Sequence, residues 1–370
     1  MVNFLDAGPD LTIAALADVF PDRVELAREQ LRKSRGIEVP ASRCFTGFDA
    51  YRALIASDVD VVLHCTPPHF RPAHFAAATA AGKHSFLEKP VAVDAAGVRA
   101  VLATAKAADN AKLSVMTGTQ LRREASRIEV RNRVLDGAIG DILAIRAFRN
   151  QGALWYRTRQ AGWSDMEWML RDWVNWNWLS GDHIVEQHIH HLDTMIWVMG
   201  RPPVKAVGMG GRARRATGDQ YDFFSVDYAF DNGVHMHSTI RQVSGCANLR
   251  DETLVGTRGT ASFDQAAIFD RDGKVTWKFQ GEGNDALVQE HADWVSAIRS
   301  GAPINTAPDT AVSTLVAIMG RDSAYTGKAV TYDAAMAADD RLGPETYALG
   351  PVHLPAEAPK PGEDSSPLSE

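Results

Sequence analysis

The sequence predicts an α/β domain on a Rossmann-like parallel sheet, incomplete at its amino end, followed by an α+β domain with an open, largely antiparallel sheet. Through residue 117, short apolar runs alternate with helical stretches, the pattern of a parallel sheet with crossover helices. From about Gln120 the pattern changes to period-two strands joined by hairpin turns. A chain of 370 residues, 45% hydrophobic and 23% charged, has core-forming material for two domains. The reading divides it at 1–120, 121–336 and 337–370, the last part rich in Pro, Glu and Ser and expected to be partly disordered, above all from Pro355.

In chain order, residues 11–17 form an apolar strand closing on Asp18, and Pro21 opens a helix to about Lys33 with Val24, Ala27 and Leu31 on one face. The run from Val59 to Cys65 stops at Thr66-Pro67-Pro68, and an alanine-rich helix from Pro72 closes at Gly82. A strand over Ser85-Phe86-Leu87 delivers Glu88-Lys89-Pro90 to its carboxyl end. Asp94 caps the next helix, and residues 112–117 return to strand. Ala125 to Leu135 is helical and leads into a strand from Asp141 to Arg149. In Phe224, Val226, Tyr228 and Phe230 every second residue is large and apolar, and Asp231-Asn232-Gly233 turns the chain into Val234 to Gln242. Asp270 to Gly273 makes a similar turn, and helices follow around 286–300 and 309–325.

A net charge of −7 disfavours nucleic acid or an anionic membrane surface as partner. No apolar run approaches the roughly 18 residues of a membrane span. Cys44, Cys65 and Cys246 are too dispersed for a disulfide framework or a zinc site. The chain reads as cytoplasmic by default, with an export signal ahead of Met1 left open.

Two stretches carry chemistry. Lys89 stands at a strand exit, where ligands of open parallel sheets bind. In the helix after Gly181-Asp182, Val185, Ile189, Leu192, Ile196 and Met199 form a buried stripe, and Glu186, His190 and Asp193 form a second stripe about 100° around it. A histidine one turn from a carboxylate suits a proton acceptor, with Glu186 as its partner. His188 and His190 point about 200° apart and cannot share a metal ion, so no metal site is assigned. Of the tryptophan-rich stretch from Trp155 to Trp178, Trp155, Tyr156 and Arg157 are candidate substrate contacts, since aromatic planes suit sugar rings. Arg122 and Arg123 either face the cleft or cap the next helix.

Asp18, acidic at a strand end, suits the ribose of NAD and would repel the 2′-phosphate of NADP. The glycine-rich turn should precede it by about 20 residues. Only 17 residues do, with Gly8 the sole glycine among them. The first strand and its turn are therefore expected roughly 25–30 residues upstream by the same spacing, with Val2 to Leu5 closing the crossover helix.

These runs resemble the Gfo/Idh/MocA oxidoreductases, the family of glucose-fructose oxidoreductase and inositol dehydrogenase. The matching residues are Val59 to Val62 with Thr66-Pro67, Ala81 to His84 leading to Glu88-Lys89-Pro90, Gly181 through Glu186 to His190 and Asp193, and Ser323 to Lys328. The resemblance implies NAD held by Asp18, Thr66, Pro67, Glu88, Lys89 and Pro90, with the nicotinamide between the two domains. It also implies hydride exchange with a carbohydrate or cyclitol, His190 as proton acceptor and Lys89 beside the reacting hydroxyl; Arg123 and Asp193 are further candidate substrate contacts. Homo-oligomers through the open sheet are expected on the same ground. Two departures stand out: Glu186 replaces an aspartate, and Arg71 a histidine. Oxidation-assisted glycoside cleavage and a non-catalytic sugar-binding homologue are the alternative functions.

Overall fold

The computed structural model describes residues 1–353 and 357–362. The strands are β1 (Leu16–Asp18), β2 (Cys44–Thr46), β3 (Val61–His64), β4 (His84–Leu87), β5 (Val115–Thr117), β6 (Ile142–Gln151), β7 (Lys205–Gly211), β8 (Phe223–Ala229), β9 (His235–Gln242), β10 (Leu249–Gly256), β11 (Gly259–Ser262), β12 (Ala267–Asp270), β13 (Val275–Lys278) and β14 (Val330–Thr331). The helices are α1 (Val2–Asp6), α2 (Pro21–Arg35), α3 (Ala50–Ala56), α4 (Arg71–Ala80), α5 (Ala95–Asn110), α6 (Ala125–Leu135), α7 (Asp165–Arg171), α8 (Asn177–Ser180), α9 (His183–Glu186), α10 (Ile189–Met199), α11 (Ala286–Ser300), α12 (Ala307–Thr326) and α13 (Tyr332–Ala337).

The amino-terminal parallel sheet is split. β1 pairs only with β2, and β3, β4 and β5 form a separate three-stranded sheet. Of the apolar run expected as a strand over 11–17, only Leu16–Asp18 enters a ladder, because one side of the run has no partner. Asp94 caps α5 as its sequence position predicts, its side chain accepting from Gly97 N at 2.8 Å.

The second sheet has nine strands in the order β13-β12-β11-β10-β6-β9-β8-β7-β14. Only β6 and β9 pair in parallel. α10 and α12 cover one face, where Ile145, Val226, Tyr228, Met236 and Leu254 are at most 1% exposed. The opposite face carries partly exposed Leu143, Val207, Met209 and Phe223.

The last helices return to the first sheet. Trp294 of α11 is fully buried beside Phe4 and Phe86 and donates to Ser114 O at 3.2 Å, while Thr306 joins a threonine network with Thr117. The segment after α13 drapes over both units: Leu342 N donates to Asp94 Oδ2, Tyr347 OH meets His69 Nε2 at 2.7 Å, and Val352 N donates to Asp165 Oδ2. Most of the stretch from Pro355 lies outside the described residues. Among the described residues no helix is long and apolar enough to cross a membrane.

Candidate functional site

Three strand ends build one wall of the site. β3 exits into Thr66-Pro67, β4 into Glu88-Lys89-Pro90 and β5 into Gly118, so the loops gather at the carboxyl edge where a parallel sheet binds ligands. Thr66 Oγ1 lies 3.4 Å from His74 Nδ1, and the Lys89-Pro90 peptide is cis. Glu88 folds back so that Oε2 accepts from Lys89 N at 3.2 Å. A Cβ on Gly118 would stand 2.6 Å from that oxygen, so only glycine leaves the carboxylate its place. Arg71, at the start of α4, donates through Nη1 to Pro90 O and is 3% exposed. It ties the β3 exit to the lysine-bearing turn, a role the sequence reading left unassigned.

The facing wall is α9 and α10. The expected single helix is interrupted at Gln187-His188, yet Val185, Ile189, Leu192 and Ile196 all stay buried, because the break preserves the burial period. The break changes who pairs with whom. Lys89 Nζ donates to Glu186 Oε1 at 2.8 Å and to the main-chain oxygen of the same residue, with side chains only 11% and 8% exposed. Glu186 Oε2 accepts from Gln187 Nε2. The expected Glu186–His190 pair is thus corrected: the carboxylate serves Lys89, and the His190 ring makes no hydrogen bond with another described residue. Burial opposes the charge on Glu186, but the Lys89 ammonium outweighs it and holds the carboxyl below its ordinary value.

His190, half-buried at the start of α10, has its pKa well below the ordinary 6.5, first by burial and then by the Lys89 charge. The sequence reading had a carboxylate keeping it basic near neutrality. The structure instead sets an ammonium beside it, and the imidazole is neutral at pH 7.

Asp193 is 1% exposed, gripped by Arg122 Nε and Nη2 at 2.9 and 2.8 Å and by Ser313 Oγ at 2.7 Å, contacts that anchor α10. Arg123 turns to α11, pairing with Asp293 at 2.9 Å, instead of opening into the cleft. Trp155 and Tyr156 are 46% and 58% exposed, and Trp155 leans on Trp173. Arg157 lines a polar cavity of about 400 Å³ with Asp22, Arg23 and Arg171, at the amino end of α2 near Asp18.

Behind Glu88 lies a residue that the sequence reading missed. Glu290 of α11 is 1% exposed, its Oε2 has no hydrogen-bond partner, and burial with the nearby Glu88 charge pushes its carboxyl up to about 9. It comes from a segment 202 positions after Glu88 (290 − 88), with no local signal to connect the two.

Below α10 a buried ionic cluster joins helix to sheet. Arg127 Nη2 meets Glu252 Oε2 at 2.6 Å, His191 Nδ1 lies 2.8 Å from Glu252 Oε1, and His188 Nε2 lies 2.7 Å from Ser238 Oγ. His183 pairs with Asp182 at 2.7 Å, an aspartate held at φ 72° and also contacted by Tyr221 N and Tyr325 OH. These three histidines are buried and tie the helices to the sheet and to neighbouring side chains.

Fitted to a dinucleotide, the residues divide. Asp18 stands at the β1 end, with Oδ1 accepting from Phe20 N at 2.9 Å, and the Lys89 turn suits the nicotinamide end. The diphosphate part has no glycine-rich strand-to-helix turn among the described residues. Between β1 and β3 there is instead a cavity of about 900 Å³ that touches neither Lys89 nor His190.

Family models match in two adjoining parts: "Oxidoreductase family, NAD-binding Rossmann fold" over residues 2–117, and "GFO/IDH/MocA C-terminal domain" over 128–262. The chain belongs to the Gfo/Idh/MocA oxidoreductase family. It is 28% identical over 218 residues to an inositol 2-dehydrogenase of Rhizobium meliloti (strain 1021), covering 59% of this chain and 56% of that protein. A 94-residue stretch, 25% of this chain and 20% of the relative, is 34% identical to a glycosyl hydrolase family 109 protein of Streptomyces coelicolor. The chain thus spans about half the length, or less, of these curated relatives. The crystal structure of scyllo-inositol dehydrogenase from Lactobacillus casei, with NAD(H) and scyllo-inositol, shares the fold at a TM-score of 0.66 and 20% identity, over 90% of this chain and 95% of that one.

Proposed function

We propose that this Gfo/Idh/MocA protein is an NAD-dependent oxidoreductase acting on a hydroxyl or ketone of a carbohydrate or cyclitol. The observation that carries the reading is the meeting of the Lys89 ammonium, from the end of β4, with α9 and the neutral His190 beside it. The family and its inositol dehydrogenase relative support the substrate class. When bound, the nicotinamide supplies the hydride chemistry.

The chain's own residues then have separable tasks. The unprotonated His190 ring accepts the alcohol proton. Lys89 stabilises the negative charge developing on the same oxygen. Glu186 acts by fixing Lys89 through two acceptors, so it is a positioning residue. Asp18, Thr66, Pro67, Glu88 and Pro90 are proposed to line the cofactor side, with Asp18 favouring NAD over NADP. Trp155, Tyr156 and Arg157 form the rim a sugar ring would meet. The unpaired face of the nine-stranded sheet, with Met209 71% exposed, suits association of copies.

Lys89→Ala tests the reading with cyclitol and glucoside panels and NADH absorbance. Turnover should fall to near background while NAD⁺ binding stays measurable, and retained turnover removes Lys89 from the reaction. The similarity to the family 109 glycosyl hydrolase supports a second reading, glycoside cleavage with no net change in free NADH. Product analysis beside the absorbance trace separates the two.

A further inference from the structure

We propose that Arg149 of β6 recognises a carboxylate on the substrate, so that the molecule taken beside His190 is a sugar acid of the uronate or aldonate kind. The proposal deepens the functional reading above and rests on it for the reacting hydroxyl. The anion site itself rests on the second sheet.

Along β6, Ile145, Ala147, Arg149 and Gln151 alternate onto the face that α10 covers. Ile145 and Ala147 are at most 1% exposed, whereas Arg149 and Gln151 are half-buried, so the covered face opens at this end of the strand. Arg149 Nε donates to Gln151 Oε1 at 3.1 Å, and Nη1 donates to His191 Nε2 at 3.2 Å. An imidazole nitrogen that accepts from arginine is the unprotonated one, and His191 Nδ1 carries the ring proton toward Glu252 Oε1, 2.8 Å away. His191 directly follows His190 in the first turn of α10, so the guanidinium reaches the place where the proton acceptor stands. Arg149 Nη2 makes no hydrogen bond with another described residue. Its two N–H donors remain for a ligand.

The charges around Arg149 do not balance. Arg250 stands directly across from it in the ladder of β6 and β10, and like charges so placed repel. Arg250 is neutralised by Asp264 at 2.6 Å, Arg127 by Glu252 at 2.6 Å, and Lys89 by Glu186 at 2.8 Å. Among the described residues Arg149 makes no ion pair, and its two partners, Gln151 and the neutral His191, carry no charge. One cation is therefore left over at the open end of the covered face, against a second arginine. The fold does not offset that repulsion with its own side chains, and a bound anion would. A carboxylate brings the single negative charge that is missing, with oxygens that suit a planar guanidinium. A phosphate monoester brings about −1.5 to −2 at pH 7, more than one free arginine balances.

The test is titration calorimetry on the full chain, with and without NAD⁺, using glucuronate, galacturonate and gluconate beside glucose, galactose and sorbitol, with glucose 6-phosphate as the phosphate probe. Wild type should bind a sugar acid at least about tenfold more tightly than its neutral counterpart. Arg149→Gln should bring that ratio to near one, a change of about 10–100-fold for a hydrogen bond to a charged group. Arg149→Lys should keep part of the preference, since the charge stays and the fork is lost. Thermal denaturation gives the second readout: Arg149→Gln should melt no lower than wild type, because it relieves the repulsion from Arg250. A marked fall in its midpoint would mean that the cation is already balanced, and overturns the proposal. So does a wild type without preference for the acids, a preference that survives in Arg149→Gln, or tighter binding of glucose 6-phosphate. NADH formation is read separately. An acid bound through Arg149 but not oxidised keeps the carboxylate site and rejects the dehydrogenase reading, whereas oxidation of neutral sugars alone keeps the dehydrogenase and rejects the carboxylate site.

Discussion

Glu186→Gln isolates the charge that holds Lys89 while preserving shape and an acceptor oxygen. The pair is 2.8 Å apart with 11% and 8% of its side chains exposed. At an effective dielectric of about 20, two unit charges at that distance attract by about 6 kcal/mol before desolvation is counted. Removing one partner of a buried pair typically costs about 3–5 kcal/mol, because the other charge is left uncompensated. The remaining hydrogen bond from Nζ to the amide oxygen places this variant near 3 kcal/mol. At about 2–4 °C per kcal/mol for domains of this size, Tm should fall by about 6–12 °C at pH 7. Urea denaturation and calorimetry measure both quantities. The pH dependence fixes the cause. The folded carboxyl lies below its ordinary 4.5, so its contribution is fully present above that value and is lost as pH falls through the depressed one. The gap between wild type and variant should therefore be greatest near neutrality and close in acid. Equal midpoints at pH 7, or a gap that widens in acid, would refute the argument.

His190→Asn should lower kcat by about 10²–10⁴-fold with an unchanged urea midpoint, since the half-buried ring makes no hydrogen bond that the fold relies on. Steady-state kinetics beside denaturation checks this. Glu290→Gln should stabilise the protein increasingly above pH 4.5. The buried acid keeps its proton to about 9, so wild type loses about 1.4 kcal/mol per pH unit, roughly 3 kcal/mol by pH 7, and a gap that does not grow with pH contradicts it. Arg127→Met should cost about 3–5 kcal/mol by stranding Glu252, and adding Glu252→Gln should recover part of the loss in a denaturation cycle.

The positions of Lys89 and His190 were legible because each depends on local rules. An apolar run ending at Glu88 puts Lys89 at a strand exit, and burial at Val185, Ile189, Leu192 and Ile196 fixes which side of the chain His190 shares. The partners were not legible. The interruption at Gln187-His188 leaves the burial period intact and so gives no pattern to read, yet it releases Glu186 from His190 and turns it to Lys89. Arg123 and Asp193 looked available because no one-dimensional pattern shows that Asp293 and Arg122 will neutralise them. Glu290 reaches Glu88 only because α11 returns to the first sheet.

The sequence by itself determined the alternation of strands and helices, the period-two second sheet, the departure from the dinucleotide pattern ahead of Asp18, and the place of Lys89 at a strand exit. All follow from side-chain periodicity and turn chemistry within a few residues. Only the tertiary structure decided that Lys89 is held by Glu186, that burial and then the Lys89 charge lower the His190 pKa, and that the split sheet leaves a cleft between β1 and β3. Electrostatic pairing and ladder completion depend on distances between segments far apart in the chain, and those distances exist only after folding.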